Sequence, residues 1–199
     1  MTITFDEATH SYTLDNDPVP SVTTILKSGG FIDTAFFTDG GRTRGTYVHS
    51  LVQYHLAGEL DESTVDDSLA GYFDAFKLFC TEADTDTDTW TVEKPLASKV
   101  YRFAGTPDFV GIINGKCAVI DLKTSITVSP SEQLQTAAYR QLLTERGWGG
   151  NVPVTHRFSL HVSSEGKYKL IEHKDRQDWQ IFLAALACYQ WKINHGRTR

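Results

Sequence analysis

The sequence predicts an α/β protein, a mixed central β-sheet flanked by helices, because of three observations. Strand patterns and helix patterns alternate along the 199 residues. The predicted central hairpin, 109–123, carries apolar side chains on both faces, which is typical of strands covered on each side. A helix-starting motif follows at 129–132, where serine and glutamate form a capping box with proline at the first helical position. A chain of this length can bury one full core, so residues 1–199 are expected to form a single domain.

The part of the chain before the central hairpin is predicted to hold a hairpin, three helices and two strands. Side-chain alternation indicates the strands, and apolar residues at helical spacing indicate the helices. In order, these elements are hairpin arms 2–5 and 11–14, a short helix capped by Ser21, helices over about 43–57 and 65–80, and strands over about 90–94 and 100–104.

The part after the central hairpin is predicted to hold a helix, a second hairpin and a final helix. The capping-box helix is expected to end at Gly147, because a glycine commonly follows the last helical turn. The hairpin has arms at 157–162 and 167–173, and the amphipathic spacing of apolar residues over 179–193 predicts the last helix.

Charged residues in the central hairpin require an explanation. Asn114-Gly115 lies between two apolar runs and favours a two-residue type I′ turn. If the residues that flank this turn pair with each other, the register places Asp108 directly opposite Asp121. Lys123 lies two residues beyond Asp121 and therefore on the same face. Three ionisable groups are thus predicted to converge at one end of the hairpin.

Two ionised carboxylates about 5 Å apart repel each other by roughly 3 kcal/mol at an effective dielectric constant near 20. A proton on one carboxylate, the neighbouring lysine, or a divalent cation between them could each relieve this repulsion. A buried structural network of the three residues is the alternative to a functional site. On the repulsion argument, replacement of either aspartate is expected to leave the metal-free fold as stable as before or more stable.

The charge distribution bears on possible partners. The net charge is −6, which by itself argues against a nucleic-acid partner, but residues 61–88 hold nine acidic residues and one lysine. The rest of the chain is therefore slightly basic. The three cysteines have neither C-x-x-C spacing nor an even number, so no disulfide, zinc site or iron–sulfur cluster is expected. The absence of a long apolar run and of a signal-peptide pattern predicts an intracellular protein without a membrane partner.

Four motifs in order resemble the PD-(D/E)XK nuclease superfamily. Gly-x-Pro-Asp at 105–108 and Ile-Asp-Leu-Lys at 120–123 are similar to its signature. Gln-x-x-x-Tyr at 135–139 and Arg-Gly-x-x-x-His at 44–49 are similar to additional motifs of the RecB-like branch, which includes phage exonucleases and the mitochondrial genome maintenance exonuclease. Val-Pro-Ser-Val-Thr at 19–23 resembles a stretch found in phage members.

The resemblance implies a restriction-endonuclease-like core and a magnesium-dependent phosphodiesterase. Asp108, Asp121 and the Leu122 carbonyl group would hold the metal, and His49 would add a nitrogen ligand. Lys123 would orient or activate the attacking water. Carboxylate and carbonyl oxygens suit Mg²⁺, and a histidine among the ligands makes Mn²⁺ a good substitute.

The resemblance also implies contacts with DNA. Gln135 and Tyr139 would contact the DNA backbone, Glu93 is a further candidate at the end of its strand, and Arg42 and Arg44 are candidate phosphate contacts. Related nucleases with a four-cysteine iron–sulfur cluster differ from this chain.

The expected function is a metal-dependent DNA nuclease, and the favoured type is an exonuclease that acts at a free, single-stranded end. A structure-specific or sequence-specific endonuclease on the same core, and a non-catalytic nucleic-acid-binding relative, are the alternatives. The likeness to phage proteins implies a phage or prophage product in the cytoplasm of a bacterial host. Protein partners are not predicted.

Overall fold

The computed structural model describes residues 2–33, 38–147 and 153–196. Helices and strands alternate much as the sequence predicts. They are, in chain order, β1 (Ile3–Asp6), β2 (Ser11–Leu14), β3 (Asp17–Val19), α1 (Val22–Ser28), α2 (Asp39–Leu56), α3 (Asp67–Glu82), β4 (Thr91–Val92), β5 (Leu96–Ser98), β6 (Phe103–Gly105), β7 (Phe109–Ile113), β8 (Lys116–Lys123), α4 (Pro130–Glu145), β9 (His156–Val162), β10 (Tyr168–Glu172) and α5 (Gln177–Asn194).

The central sheet has five strands in the order β10-β9-β8-β7-β4. Strands β8 and β9 are parallel, and the other neighbours are antiparallel. Helix α4 connects the two parallel strands, as a crossover connection requires. The predicted class, an α/β protein with a mixed central sheet flanked by helices, is therefore confirmed.

The hairpin of β7 and β8 has the predicted register. Ile113 pairs with Lys116 across the turn, and the pairing continues to Phe109 with Ile120. Asn114 and Gly115 have φ angles of 47° and 72°, as a type I′ turn demands. Asp108 directly precedes β7, so the register carries it to the position beside Asp121.

The two faces of this hairpin belong to two different cores. Val119 and its same-face neighbours pack against α1, α4 and α5, around residues such as Leu142 and Phe182. Ile120 and its neighbours pack against α2 and α3, around residues such as Val48 and Phe76. The prediction that β7 and β8 are covered on both sides is confirmed. Successive side chains at the end of β8 therefore face the two helical layers in turn.

Three predicted elements differ in the structure. The strand predicted over about 90–94 is limited to β4, Thr91–Val92, because Glu93 has a φ of 43°. Helix α2 begins at Asp39, not near residue 43, because the Thr38 side chain accepts the Gly41 backbone N–H and supports a glycine-rich first turn. The predicted strand over 100–104 is wrong at its start. Residues 99–102 form a turn between β5 and β6, in which the Ser98 hydroxyl accepts the Tyr101 N–H and Arg102 has a φ of 59°.

Among the described residues, no helix has the length and apolar character needed to cross a membrane.

Candidate metal centre

The end of strand β8 brings the predicted site residues together. Asp121, Leu122 and Lys123 are its last three residues, and Asp108 comes from the adjacent start of β7. His49 comes from the middle of α2. The hairpin therefore supplies the acidic and basic groups locally, and the histidine comes from a distant part of the chain.

Asp108 is held by one backbone group and one imidazole. Its Oδ2 accepts the Leu122 backbone N–H at 2.6 Å, and its Oδ1 lies 3.3 Å from His49 Nδ1. The other ring nitrogen, Nε2, lies 3.1 Å from the Leu122 carbonyl oxygen. Burial would lower the pKa of His49, but the Asp108 carboxylate outweighs it and raises the pKa to about 9. Burial would raise the pKa of Asp108, and the charge of His49 instead lowers it.

Asp121 lies in a different electrostatic environment from Asp108. It is 2% exposed and makes an ion pair with the Lys123 ammonium group. Burial raises the pKa of Asp121 to about 6, although Lys123 acts in the opposite direction. The ammonium group lies against Oδ2, a buried oxygen that has no other hydrogen-bond partner within the described part of the chain. Asp121 therefore already has a cationic partner, and a metal ion at this carboxylate would have to share it with Lys123.

The structure brings Glu93 to the site as a further possible ligand. One ligand atom each from His49, Glu93 and Asp108 lies within 4.8 Å of the other two. Glu93 follows β4 with a φ of 43°, and its backbone N–H donates to the Asp108 carbonyl oxygen at 2.9 Å. Burial and the Asp108 charge raise the pKa of Glu93. Crowded carboxylates with one imidazole fit a hard divalent cation such as Mg²⁺ or Mn²⁺.

Lys123 is connected to helix α4 by a chain of side-chain hydrogen bonds. Its Nζ donates to Gln135 Oε1 at 3.3 Å, and Gln135 Nε2 donates to the Tyr139 hydroxyl at 3.0 Å. Both α4 residues are buried, with exposures of 8% and 5%. Gly105 allows this arrangement, because a Cβ there would lie 2.7 Å from the Tyr139 ring. Gln135 and Tyr139 thus lie beside Lys123, and their contact with DNA stays a prediction.

The structure places the two predicted arginines on other contacts. Arg42 makes an exposed ion pair with Asp39 at 2.6 Å. Arg44 lies over the Tyr72 ring, 5.6 Å from its centroid, and lines a groove between α2 and α3. Their role as phosphate contacts stays a prediction.

Sequence reasoning missed a buried polar group beside the centre. Glu132 and His161 are paired at 3.0 Å and are 2% and 5% exposed. Strand β9 did contain a signal, because Arg157, Ser159 and His161 alternate with apolar residues inside a predicted strand. Such alternation indicates a polar face, and all three side chains are buried.

The fold and the site together define a mixed-sheet α/β protein with a candidate metal centre of histidine and carboxylates. No family model and no curated protein matches the sequence. A solved structure of a candidate exonuclease from Eubacterium rectale is similar, with 12% identity, a TM-score of 0.51, and coverage of 92% of this chain and 77% of that chain. At this identity the likeness concerns the fold alone.

A second solved structure is an alkaline exonuclease from Laribacter hongkongensis. It has 14% identity and a TM-score of 0.33, and the match covers 86% of this chain and 91% of that chain.

Proposed function

We propose that this protein is a metal-dependent DNA nuclease of the PD-(D/E)XK type, which hydrolyses phosphodiester bonds at free, single-stranded DNA ends. The observation that carries the proposal is the convergence of Asp108, Asp121 and Lys123 at one end of β8, with His49 beside them. A buried cluster of ionisable groups is costly, and such clusters are common at functional sites.

The proposed ligands are Asp108, Asp121, the Leu122 carbonyl oxygen and His49, and Glu93 is an additional candidate. A bound Mg²⁺ or Mn²⁺ would polarise the phosphodiester group and lower the pKa of a coordinated water. His49 must lose its extra proton before a ring nitrogen can act as a ligand, because an imidazolium has no free lone pair. The ion pair with Asp108 holds that proton, so metal binding is expected to release a proton and to strengthen as the pH rises.

The protein's own side chains would prepare the substrate. Lys123 has three N–H donors and keeps its charge, because the two aspartates outweigh burial and raise its pKa. It can therefore hold a water molecule or a phosphate oxygen beside Asp121. Gln135 restricts the ammonium group to this position through its own hydrogen bond.

Two other lines of support come from likeness. The four motifs in order resemble the RecB-like branch, and the similar fold from Eubacterium rectale is that of a candidate exonuclease. The likeness to phage members supports our further proposal of a phage or prophage product in the bacterial cytoplasm.

The direct test is digestion of end-labelled linear DNA with and without Mg²⁺. We expect wild-type protein to shorten the DNA only when the divalent cation is present, and EDTA to stop the reaction. Asp121→Asn, purified in parallel, controls for a contaminating nuclease and should be inactive. Equal loss of DNA with both proteins, or no loss with wild type in Mg²⁺ and Mn²⁺, would contradict the proposal.

A further inference from the structure

A buried histidine contacts both ends of the connection that follows β8. His161 lies on β9 in register with Lys123 and is 5% exposed. Its Nδ1 is 2.7 Å from the Ser125 carbonyl oxygen, and its Nε2 is 3.0 Å from Glu132 Oε2. A carbonyl group and an ionised carboxylate are both acceptors. Burial would lower the pKa of His161, but its contacts with Glu132 and Ser125 raise it, which favours the form with a proton on each ring nitrogen.

Glu132 transmits this contact to helix α4. The residue is 2% exposed, and its Oε1 accepts the Ser129 backbone N–H at 2.8 Å to complete the capping box. Its other oxygen faces His161. Burial would raise the pKa of Glu132, but its contacts with His161, the Ser129 N–H and the nearby Lys123 charge together lower it, which favours the ionised carboxylate. The first turn of α4 is thus attached to β9 by a charge-assisted hydrogen bond.

These two anchor points lie on either side of the contact between Lys123 and Gln135. Ser125 follows Lys123 by two residues. Glu132 precedes Gln135 by three residues and therefore lies on the same side of α4. The residues that connect β8 to α4, 124–129, form no helix or strand. Without His161, the two ends of this irregular connection would lose their shared attachment to β9.

We propose that His161 is a positioning residue, which fixes the Lys123 ammonium group and the Gln135 amide relative to Asp121. This inference rests on the proposed nuclease function. His161 acts through the backbone of the connection and through Glu132, and it does not touch the substrate. Small displacements of groups that hold reactants are costly, because a shift of about 1 Å can lower a rate by about 100-fold.

Three variants separate positioning from a purely structural role. His161→Leu removes both contacts. Glu132→Gln keeps them, because the amide oxygen can accept the Ser129 N–H while the amide nitrogen donates to a neutral His161. His156→Leu is the matched control, since His156 is a partly buried histidine at the start of the same strand, in register with Ala118, and it contacts Thr155, Phe158 and Glu172.

The first measurement needs neither DNA nor metal. Side-chain amide NMR signals of Gln135 and hydrogen exchange of the backbone amides of residues 124–132 report on the Lys123 contact and the connection. We expect His161→Leu to shift the Gln135 signals and to speed exchange in this segment. Glu132→Gln and His156→Leu should resemble wild type in both measurements.

The second measurement is kinetic, on single-stranded DNA with Mn²⁺. We expect His161→Leu to lower kcat by about 10-fold to 100-fold with KM and the calorimetric Kd for Mn²⁺ unchanged. A wild-type kcat and unchanged Gln135 signals in His161→Leu would overturn the proposal, as would an equal loss of kcat in His156→Leu. If wild-type protein cleaves no DNA, the proposed function fails, and the NMR and exchange results still decide the role of His161.

Discussion

Asp108 and Asp121 lie side by side at the end of one hairpin, but their charges are stabilised in different ways. Asp108 accepts a backbone N–H and pairs with His49, and its pKa is lowered. Asp121 is buried and pairs with Lys123, and burial raises its pKa. The repulsion argument from the sequence treated both residues alike. The structure leads to opposite expectations for their replacement in the absence of metal.

Asp121→Asn is expected to stabilise the metal-free protein at neutral pH. The pKa of Asp121 rises from 3.8 to about 6, so its ionised form destabilises the fold. The contribution of Asp121 to stability is complete below 3.8 and is lost as the pH rises through about 6. Lys123 loses one partner in the variant but keeps the Gln135 amide oxygen and the nearby Asp108 charge, so we expect a net gain on the order of 1 kcal/mol at pH 7.5. Denaturant unfolding at several pH values checks this, and a gain that persists at pH 3.5 would contradict the assigned cause.

Asp108→Asn is expected to destabilise the metal-free protein. The pKa of Asp108 is lowered in the fold, so its charge contributes stability above its ordinary pKa and loses it as the pH falls through the lowered value. An asparagine keeps an acceptor for the Leu122 N–H but leaves the charged His49 without its partner. We expect a loss of about 1–3 kcal/mol in the free energy of unfolding at neutral pH. Equal stability of the two asparagine variants would show that the carboxylates are equivalent after all.

Lys123→Ala separates metal binding from turnover. A protonated lysine cannot coordinate a cation, so we expect Mn²⁺ to bind the variant at least as tightly as wild type in a calorimetric titration. Turnover should fall by about 10² to 10⁴, the range for a positioned acid–base or electrostatic group. Wild-type turnover would exclude Lys123 from the reaction.

At the scale of elements, the close approach of β6 to α4 determines where Tyr139 can lie. A Cβ on Gly105 would be 2.7 Å from Tyr139 Cε1 and 3.0 Å from Val22 Cγ2. Helix α4 is fixed by its cap at Ser129, so the ring has little freedom to withdraw.

Gly105→Ala is therefore expected to displace Tyr139 and, through it, Gln135. We expect a loss of about 1–3 kcal/mol in stability from overpacking, together with a lower kcat. Gly40→Ala is the matched control, because nothing lies within 4 Å of a Cβ at that helical position. The control should be neutral or slightly stabilised. Thermal unfolding and single-turnover cleavage measure both effects, and similar behaviour of the two variants would contradict the packing argument.

Elements with a strong local signal could be predicted from the sequence. The Asn114-Gly115 turn fixed the register of β7 and β8, and the capping box at 129–132 located the start of α4. Elements determined by tertiary contacts could not be predicted. The turn at 99–102 depends on Ser98, a buried serine whose hydroxyl also donates to Glu145 of α4 at 3.0 Å.

The candidate site shows the same division between local and distant information. The hairpin register brought Asp108, Asp121 and Lys123 together without knowledge of the tertiary structure. The closeness of Glu93 to His49 depends on β4 and α2, which meet the hairpin from separate parts of the chain. No short motif encodes the distance between Glu93 and His49. The sequence therefore indicated Glu93 only as a further candidate, without a specific role.

At the scale of the whole molecule, the arrangement of helices around the centre suggests a preference among DNA substrates. Helix α2 with His49 and helix α4 with Gln135 approach the end of β8 from opposite faces of the sheet. A site enclosed from both faces admits a threaded strand more readily than a duplex.

We therefore expect linear single-stranded DNA to be degraded in Mg²⁺ while a covalently closed single-stranded circle of the same sequence survives. Side-by-side digestion measures this, and the same circle after one cut is the control that should be degraded. Rapid loss of the closed circle would favour an endonuclease.

His49 lies on α2, far along the chain from the hairpin that carries the other groups, and this affects how the centre forms during folding. Residues 108–139 can bring the carboxylates, Lys123 and Gln135 together through short-range contacts, because the hairpin closes over a two-residue turn. Asp108 gains its partner His49 only when α2 docks on the sheet. Local unfolding of α2 alone would separate His49 from Asp108 while the hairpin stays paired. The completeness of the centre is thus linked to the opening of one helix and can vary without global unfolding.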